Sequence, residues 1–177
     1  MFEDATSWTA SVSYTFADNG VRLHSPAGTG IVNPSNFELF ANSTFCTTTY
    51  LGNPNLHPEK NRSFDFGVEV PLLQGRGLVD VTWDDEARTG EIESYMVKLT
   101  TFSYRYQAGD SDRQGVELSA NMEATEYLDL LLSYTYLDAS NSDGSVEVRR
   151  PEHEMQLSAT LQTSNGRGLV TTDIRHG

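Results

Sequence analysis

The chain is short of positive charge. Its 12 Lys and Arg stand against 25 Asp and Glu, a formal net charge of −13 over 177 residues. That balance excludes DNA or RNA as a partner, because neutralising a phosphate backbone takes clustered cations. Long apolar runs are missing as well. No stretch approaches the roughly 20 consecutive apolar residues of a membrane-spanning helix, and the opening "MFEDATSWTASVSYTF" lacks the basic and then apolar segments of a signal peptide. Strands that cross a membrane are only half apolar, so a β-barrel stays open. Cysteine is nearly absent. The single Cys46 leaves a thiol that is structurally idle or paired outside this chain.

What the chain does have is alternation. In "WTASVSYTF", Trp8, Ala10, Val12, Tyr14 and Phe16 share one parity and Thr9, Ser11, Ser13 and Thr15 the other. That is a strand with one apolar and one polar face. "SFDFGVEV" sets Phe64, Phe66, Val68 and Val70 against Ser63, Asp65, Gly67 and Glu69; "VDVTW", "VELSANM", "LDLLLSYTYLD", "MQLSATLQ" and the weaker "GLVTTDIRHG" repeat the pattern. The spacing predicts eight antiparallel strands, at 6–17, 20–32, 61–71, 77–87, 101–123 (bent near "AGDSDRQG"), 128–139, 154–163 and 168–177. The second of these is broken in period by Pro26 and its glycines.

The joints between strands alternate short and long. "DNG", "LLQGRG", "TEYLD" and "SNGRG" are tight; the stretches from about Asn33 to Lys60, from Glu86 to Thr101, and through "ASNSDGSVEVRRPEHE" are long. In an up-and-down sheet alternate joints share an end, so one rim carries turns and the other carries loops. Long unstructured loops are uncommon in compact soluble domains, whereas tight turns on one rim and long loops on the other mark outer-membrane barrels. Trp8, Phe16, Trp83, Tyr127, Tyr134 and Tyr136 lie near strand ends, where interfacial girdles would sit. The competing architecture is a soluble, secreted β-sandwich that binds carbohydrate through its loops.

Two segments carry a family resemblance: "GTGIVNPSNFELF", Gly28 to Phe40, and "GNPNLHPEKNRSFDFGVE", Gly52 to Glu69. With "DSDRQGVELSANMEATEYLDLLLSYTYLDA" and "RRPEHEMQLSATLQ" further on, the chain resembles the barrel domain of TonB-dependent outer-membrane receptors over almost its whole length. The matching positions are Gly52, Asn53, Pro54, Leu56, Pro58 and Glu59 in the first loop, Gly115 and Glu117 in the "GVE" strand, and Arg150 and Pro151 at a strand start.

The resemblance implies an all-β, antiparallel, transmembrane barrel of 22 strands closed around a plug domain. It further implies uptake of a scarce nutrient such as a ferric siderophore, another metal chelate or cobalamin, energised through the plug by an inner-membrane TonB complex. Against that pattern, residues 1–177 are expected to be one partial barrel domain of about eight strands, with plug and last strands lying outside it. Outer-membrane lipid is an expected partner, nucleic acid is not, and no cofactor is expected.

Chemistry-bearing residues are sparse. Asp65, Glu69, Asp80, Glu117 and Asp129 share the polar parity but sit on separate strands without a nucleophile beside them, so an enzyme is not expected. They are expected to face water and to pair with Arg22, Arg113 or Arg175. His57 with Glu59, and His153 with Glu152 and Glu154, match no zinc spacing. Asp110, Asp112 and Gly115 only faintly resemble a calcium loop. Phe37, Phe40, Phe45 and Tyr50, among small polar residues, form the expected ligand-contact surface, with a self-packed loop as the alternative.

Overall fold

The structure, a computed structural model, describes residues 6–107, 109–140, 145, 151–163 and 166–177. In chain order its elements are β1 (Thr9–Thr15), β2 (Arg22–Val32), α1 (Asn36–Phe40), β3 (Asn42–Phe45), β4 (Thr48–Leu51), β5 (Glu59–Leu72), β6 (Gly77–Thr89), β7 (Ile92–Lys98), β8 (Thr101–Tyr106), β9 (Ser111–Thr125), β10 (Leu128–Ser140), β11 (His153–Thr163) and β12 (Gly168–His176). Eight of these strands form one antiparallel sheet in the order β1-β2-β5-β6-β9-β10-β11-β12. Each strand pairs with the next one of the series, so the expected up-and-down segment is present, with tight turns on one rim and long connections on the other.

Two expectations need correction. Two of the long joints are not structureless: α1, β3 and β4 fill the β2–β5 connection and β7 and β8 the β6–β9 connection, and those four strands make a second sheet in the order β3-β4-β8-β7; most of the third joint lies outside the described residues. The centre of the second sheet is a parallel pairing, Thr49 with Thr101 and Tyr50 with Phe102, which ties the β2–β5 connection to the β6–β9 connection. The single strand expected over 101–123 is two strands in two sheets. Gly109, at a φ of 109°, stands between them, and a left-handed backbone there redirects the chain at no Cβ cost. Alternation continues across the break, so the period alone cannot reveal it.

The burial pattern is inside out for a water-soluble protein. On one face the cross-strand rows are apolar, such as Val68–Val81–Leu118–Tyr134; Phe64, Phe66, Val81 and Trp83 on it are 44%, 45%, 43% and 40% exposed. On the other face Ser111 and Arg113 are only 4% and 6% exposed. A sandwich would bury the apolar face under a second sheet. Here the second sheet shares no ladder with the first and leaves those side chains uncovered, whereas hydrocarbon lipid accepts both the apolar face and a backbone satisfied by its own ladders.

Pro26 illustrates how β2 survives its irregular sequence. In the β2–β5 register His24 faces Gly67 and Ala27 faces Phe64, which puts Pro26 opposite Asp65. Pro26 has no N–H to give. The hydroxyl of its neighbour Ser25 donates to the Asp65 carbonyl instead, at 2.7 Å, while β1 pairs past the proline without interruption.

Candidate functional site

The polar face of the large sheet is built of side chains that lie flat across the strands. Arg22 on β2 meets Glu69 on β5 with two parallel bonds, Nε to Oε1 at 3.1 Å and Nη2 to Oε2 at 2.6 Å. Such a fork holds both groups in one orientation. His24 reaches further, over β5 altogether, to bring Nε2 within 2.7 Å of Asp80 Oδ2 on β6. The strand between presents Gly67, where a Cβ would stand 2.1 Å from His24 Cε1. The glycine is therefore the floor of the His24 ring.

Glu86 is the other hub. It accepts from Asn61 Nδ2 at 3.0 Å, from Arg88 Nε at 2.9 Å, and from Arg113 Nη1 at 3.4 Å. Asp84 lies over Gly115, where a Cβ would come within 2.6 Å of Oδ1, and together with Glu86, Arg113, Glu117, Pro151 and Glu154 it borders a recess of about 320 Å³. Of the expected pairings, Arg22 finds Glu69, Arg113 pairs with Glu86, and Arg175 stands opposite Gln156 in the ladder. The sheet places Asp65, Glu69, Asp80 and Glu117 on one water-accessible wall. Among the described residues no group of three or more His, Cys, Asp or Glu is arranged to hold a metal ion.

The long-loop rim is organised by two short motifs. "SNFE" caps α1: the Ser35 hydroxyl accepts from the Glu38 backbone N–H at 3.2 Å, and the Glu38 carboxylate accepts from the Ser35 N–H at 2.7 Å. This is the reciprocal capping box, a signal present in the sequence that the strand-based reading passes over. The second motif, "GNPNLHPE", works as a latch. Gly52 donates to Ala41 and Asn53 to Glu38, holding α1. The Asn53 amide donates to the Tyr104 carbonyl at 2.9 Å, and the Tyr106 hydroxyl accepts from the His57 N–H and donates to the Asn55 carbonyl, holding β8. Glu59 accepts from the Ile92 N–H at 2.8 Å, holding the start of β7. Leu56 is 2% exposed, so it is the apolar pin. Pro54 and Pro58 stiffen the segment on either side.

Only part of the expected aromatic surface comes together. Phe37 and Tyr50 pack at 5.7 Å between ring centroids, and Tyr104 and Phe102 join them at 6.2 and 6.1 Å. The last two lie far along the chain from Phe37 and Tyr50 and arrive through the parallel β4–β8 pairing, so local sequence gives no sign of them. Phe40 and Phe45 stay outside this cluster, 67% and 77% exposed. Burial, reinforced by Glu38 and Tyr50, raises the Tyr104 phenol above its usual range. Cys46, next to Phe45, is an exposed free thiol.

The remaining candidates disperse. His57 acts through its backbone and Glu59 through its carboxylate on another strand. His153 stacks beside Tyr134 and Tyr136 and bonds the Tyr134 hydroxyl at 2.8 Å. Asp110 precedes β9, Asp112 lies on its apolar-side parity and Gly115 on the polar side, so no calcium loop forms. Arg150 lies outside the described residues.

The sequence model for the family described as "TonB dependent receptor-like, beta-barrel" matches residues 2–173. The chain belongs to that family. The family is one of receptors and transporters of the bacterial outer membrane. Among solved structures, the chain is similar to a double mutant of the Serratia marcescens hemophore receptor HasR in complex with its hemophore HasA and heme, at 16% identity and a TM-score of 0.78, over 96% of this chain and 31% of that one. It is similar to the siderophore receptor PirA from Pseudomonas aeruginosa, at 16% identity and a TM-score of 0.69, over 96% of this chain and 30% of that one. The copper transporter OprC matches at 19% identity and a TM-score of 0.67, over 86% of this chain and 23% of that one. At these identities the likeness is one of fold, and the chain spans under a third of the length of each TonB-dependent structure.

Proposed function

We propose that this chain is a segment of a TonB-dependent outer-membrane receptor that takes up a scarce nutrient, either a ferric siderophore, heme or another metal chelate, or cobalamin. The reading is of transport and not of catalysis. One observation carries it beyond family membership: a sheet with apolar residues outward, a hydrogen-bonded polar wall inward, and, among the described residues, a folded module on the long-loop rim. Lipid, an aqueous lumen and an extracellular mouth each account for one of those surfaces.

In this reading the inner wall from Arg22 to Glu117 packs against a plug domain, and the TonB complex acts on that plug from below. The ligand meets the loop sheet first. Phe40 and Phe45 are the exposed aromatics available for contact, while Phe37 and Tyr50, packed with Phe102 and Tyr104, hold the surface that presents them. Chelates of scarce metals are favoured over sugars because the similar folds include a hemophore receptor in complex with its hemophore and heme, a siderophore receptor and a copper transporter.

The test is uptake. A strain lacking the receptor that contains this chain should lose energy-dependent accumulation of one labelled iron chelate, heme or cobalamin, and recover it on complementation. Normal uptake of every such compound in the deletion strain, or uptake indifferent to loss of TonB, would overturn the proposal.

A further inference from the structure

The distal end of the loop sheet carries a feature that nutrient contact does not account for. β4 and β8 run parallel from Thr49 and Thr101 back toward the large sheet, so the turns of the β3–β4 and β7–β8 hairpins lie side by side at the end remote from it. The Thr49 N–H donates to the Thr100 carbonyl at 2.8 Å, and the Thr44 and Thr49 hydroxyls meet at 3.0 Å. Cys46 and Thr100, at φ of 55° and 65°, turn the two hairpins. The tips are therefore held together before any partner arrives, which lowers the ordering cost of binding.

What they present is apolar. Phe45 and Leu99 are 77% and 83% exposed, and Met96 and Val97 are at least half exposed. Acidic residues avoid this end of the module. From Leu39 to Pro58 and from Ser94 to Gly109 there is no Asp or Glu, although the chain has 25 of them. Of the two cations in those segments, Arg105 meets Glu93, and Lys98, next to Leu99, has no ion pair among the described residues. Aromatic and Met side chains without acidic neighbours have the composition of a protein–protein interface core.

We propose that the two hairpin tips dock an acidic protein of the bacterium's own surroundings, entering an apolar pocket rimmed by carboxylates, with Lys98 as the charged contact. This docking rests on the barrel reading, which places the long-loop rim outside the cell. Charge and shape select the occupant. A second copy meeting the chain through the same tips would offer Lys98 no carboxylate. A small chelate that touches Phe45 leaves Val97 and Leu99 uncovered, because a protruding turn encloses nothing and small-molecule sites are concave. A pocket with an acidic rim covers the apolar side chains and neutralises Lys98 together.

The experiment uses the intact receptor containing this chain. On whole cells a membrane-impermeant maleimide should label the exposed Cys46 thiol, and C46S should lose that label; labelling only after lysis would overturn the barrel reading itself. The receptor, purified in mild detergent and immobilised, is then presented with the acidic and basic protein fractions of the bacterium's culture medium, while heat-modifiable migration reads the folded barrel independently. A protein of the acidic fraction should bind, and after purification its Kd should rise about tenfold to thirtyfold for L99S and for K98E, and with added salt. V97S serves in place of L99S if that variant lacks the folded band. K98R should retain most of the binding, and R76Q, a charge removed on the opposite rim, all of it. Replacing one rim carboxylate of the partner by Lys should restore binding to K98E. No binder in the acidic fraction, a binder in the basic fraction alone, or equal binding by wild type, L99S and K98E would each overturn the proposal while leaving the barrel reading intact. So would L99S and K98E weakening uptake of a labelled chelate with no protein partner present.

Discussion

His24 on β2 and Asp80 on β6 meet at 2.7 Å across a strand that separates them, and the meeting is possible because that strand contributes Gly67 at the crossing point. A side chain at position 67 would occupy the space of the imidazole and of the Thr82 hydroxyl, itself bonded to Asp80 at 2.7 Å. Gly67→Val should therefore expel His24 from the wall and push the Thr82 hydroxyl away from Asp80. The expected cost is about 1–3 kcal/mol, read as a lower urea midpoint for the heat-modifiable folded band, and His24→Ala in the same background should recover part of it. An unchanged midpoint in Gly67→Val would refute the crossing geometry.

The latch can be opened without touching the barrel. At Gly52 a Cβ would stand 2.5 Å from the backbone of Leu39 and Phe40, and backbone cannot step aside as a side chain can. Gly52→Ala should displace α1 from the 52–59 segment. Limited proteolysis should then cut between residues 33 and 58 several times faster, while the barrel keeps its folded migration.

Asn53 and Tyr106 are the polar half of the same latch. Asn53→Ala loses the bond to the Tyr104 carbonyl and the Asx-type bond to the Asn55 N–H; Tyr106→Phe leaves the His57 N–H and Asn55 carbonyl without a partner. Each should cost about 1 kcal/mol of local stability. Hydrogen exchange should accelerate in β8 and in the 52–58 segment, and the double variant should fall short of the sum of the singles if the latch acts as one unit, because either change alone already opens it. Protection unchanged in both would show that Leu56 packing holds the segment without them.

Adjacent residues of β9 should respond in opposite ways to the same charge. Leu118 lies in the apolar row with Val81 and Tyr134, and Ser119 in the polar row with Asp80 and Ser133. Leu118→Arg places a cation in hydrocarbon and should cost about 2–4 kcal/mol, seen as loss of insertion into lipid vesicles. Ser119→Arg sets the cation beside Asp80 and should insert as wild type does. Equal behaviour of the two would mean that the faces are assigned wrongly.

The loop sheet should be sensitive to alkali through Tyr104. Burial raises its phenol above the ordinary value of 10.0, so the folded module holds that proton more tightly than the unfolded one does. Stability linked to it is complete below the unfolded value and declines as pH rises through the folded one. Protease resistance of the loops should fall in that window, and Tyr104→Phe should abolish this component of the fall.

Much of this could be read along the chain. Strict alternation from Trp8 to Phe16 and from Ser63 to Val70 set strand identity and face, because a one-residue slip would turn Phe64 and Phe66 inward and Asp65 toward lipid. The prolines of "GNPNLHPE" marked the end of a loop. The loop sheet was invisible for a physical reason: its central pairing joins Tyr50 to Phe102, and a parallel contact between two loops leaves no period in either. The split of the expected strand at Gly109 was hidden likewise, since alternation continues on both sides of the turn. Half of the expected aromatic surface failed to assemble because proximity in sequence does not decide which rings of Phe37, Phe40, Phe45 and Tyr50 share a face.

By itself, then, the order of residues determined which positions alternate, where the chain must stop pairing, and that apolar and polar faces are segregated, since these follow from local backbone geometry and the period of two. Only the tertiary structure decided what crosses between strands: His24 over Gly67 to Asp80, Asp84 over Gly115, and Asn53 to Tyr104. Those relations depend on register and on which side chain is absent at the point of crossing, and neither is written in any single strand.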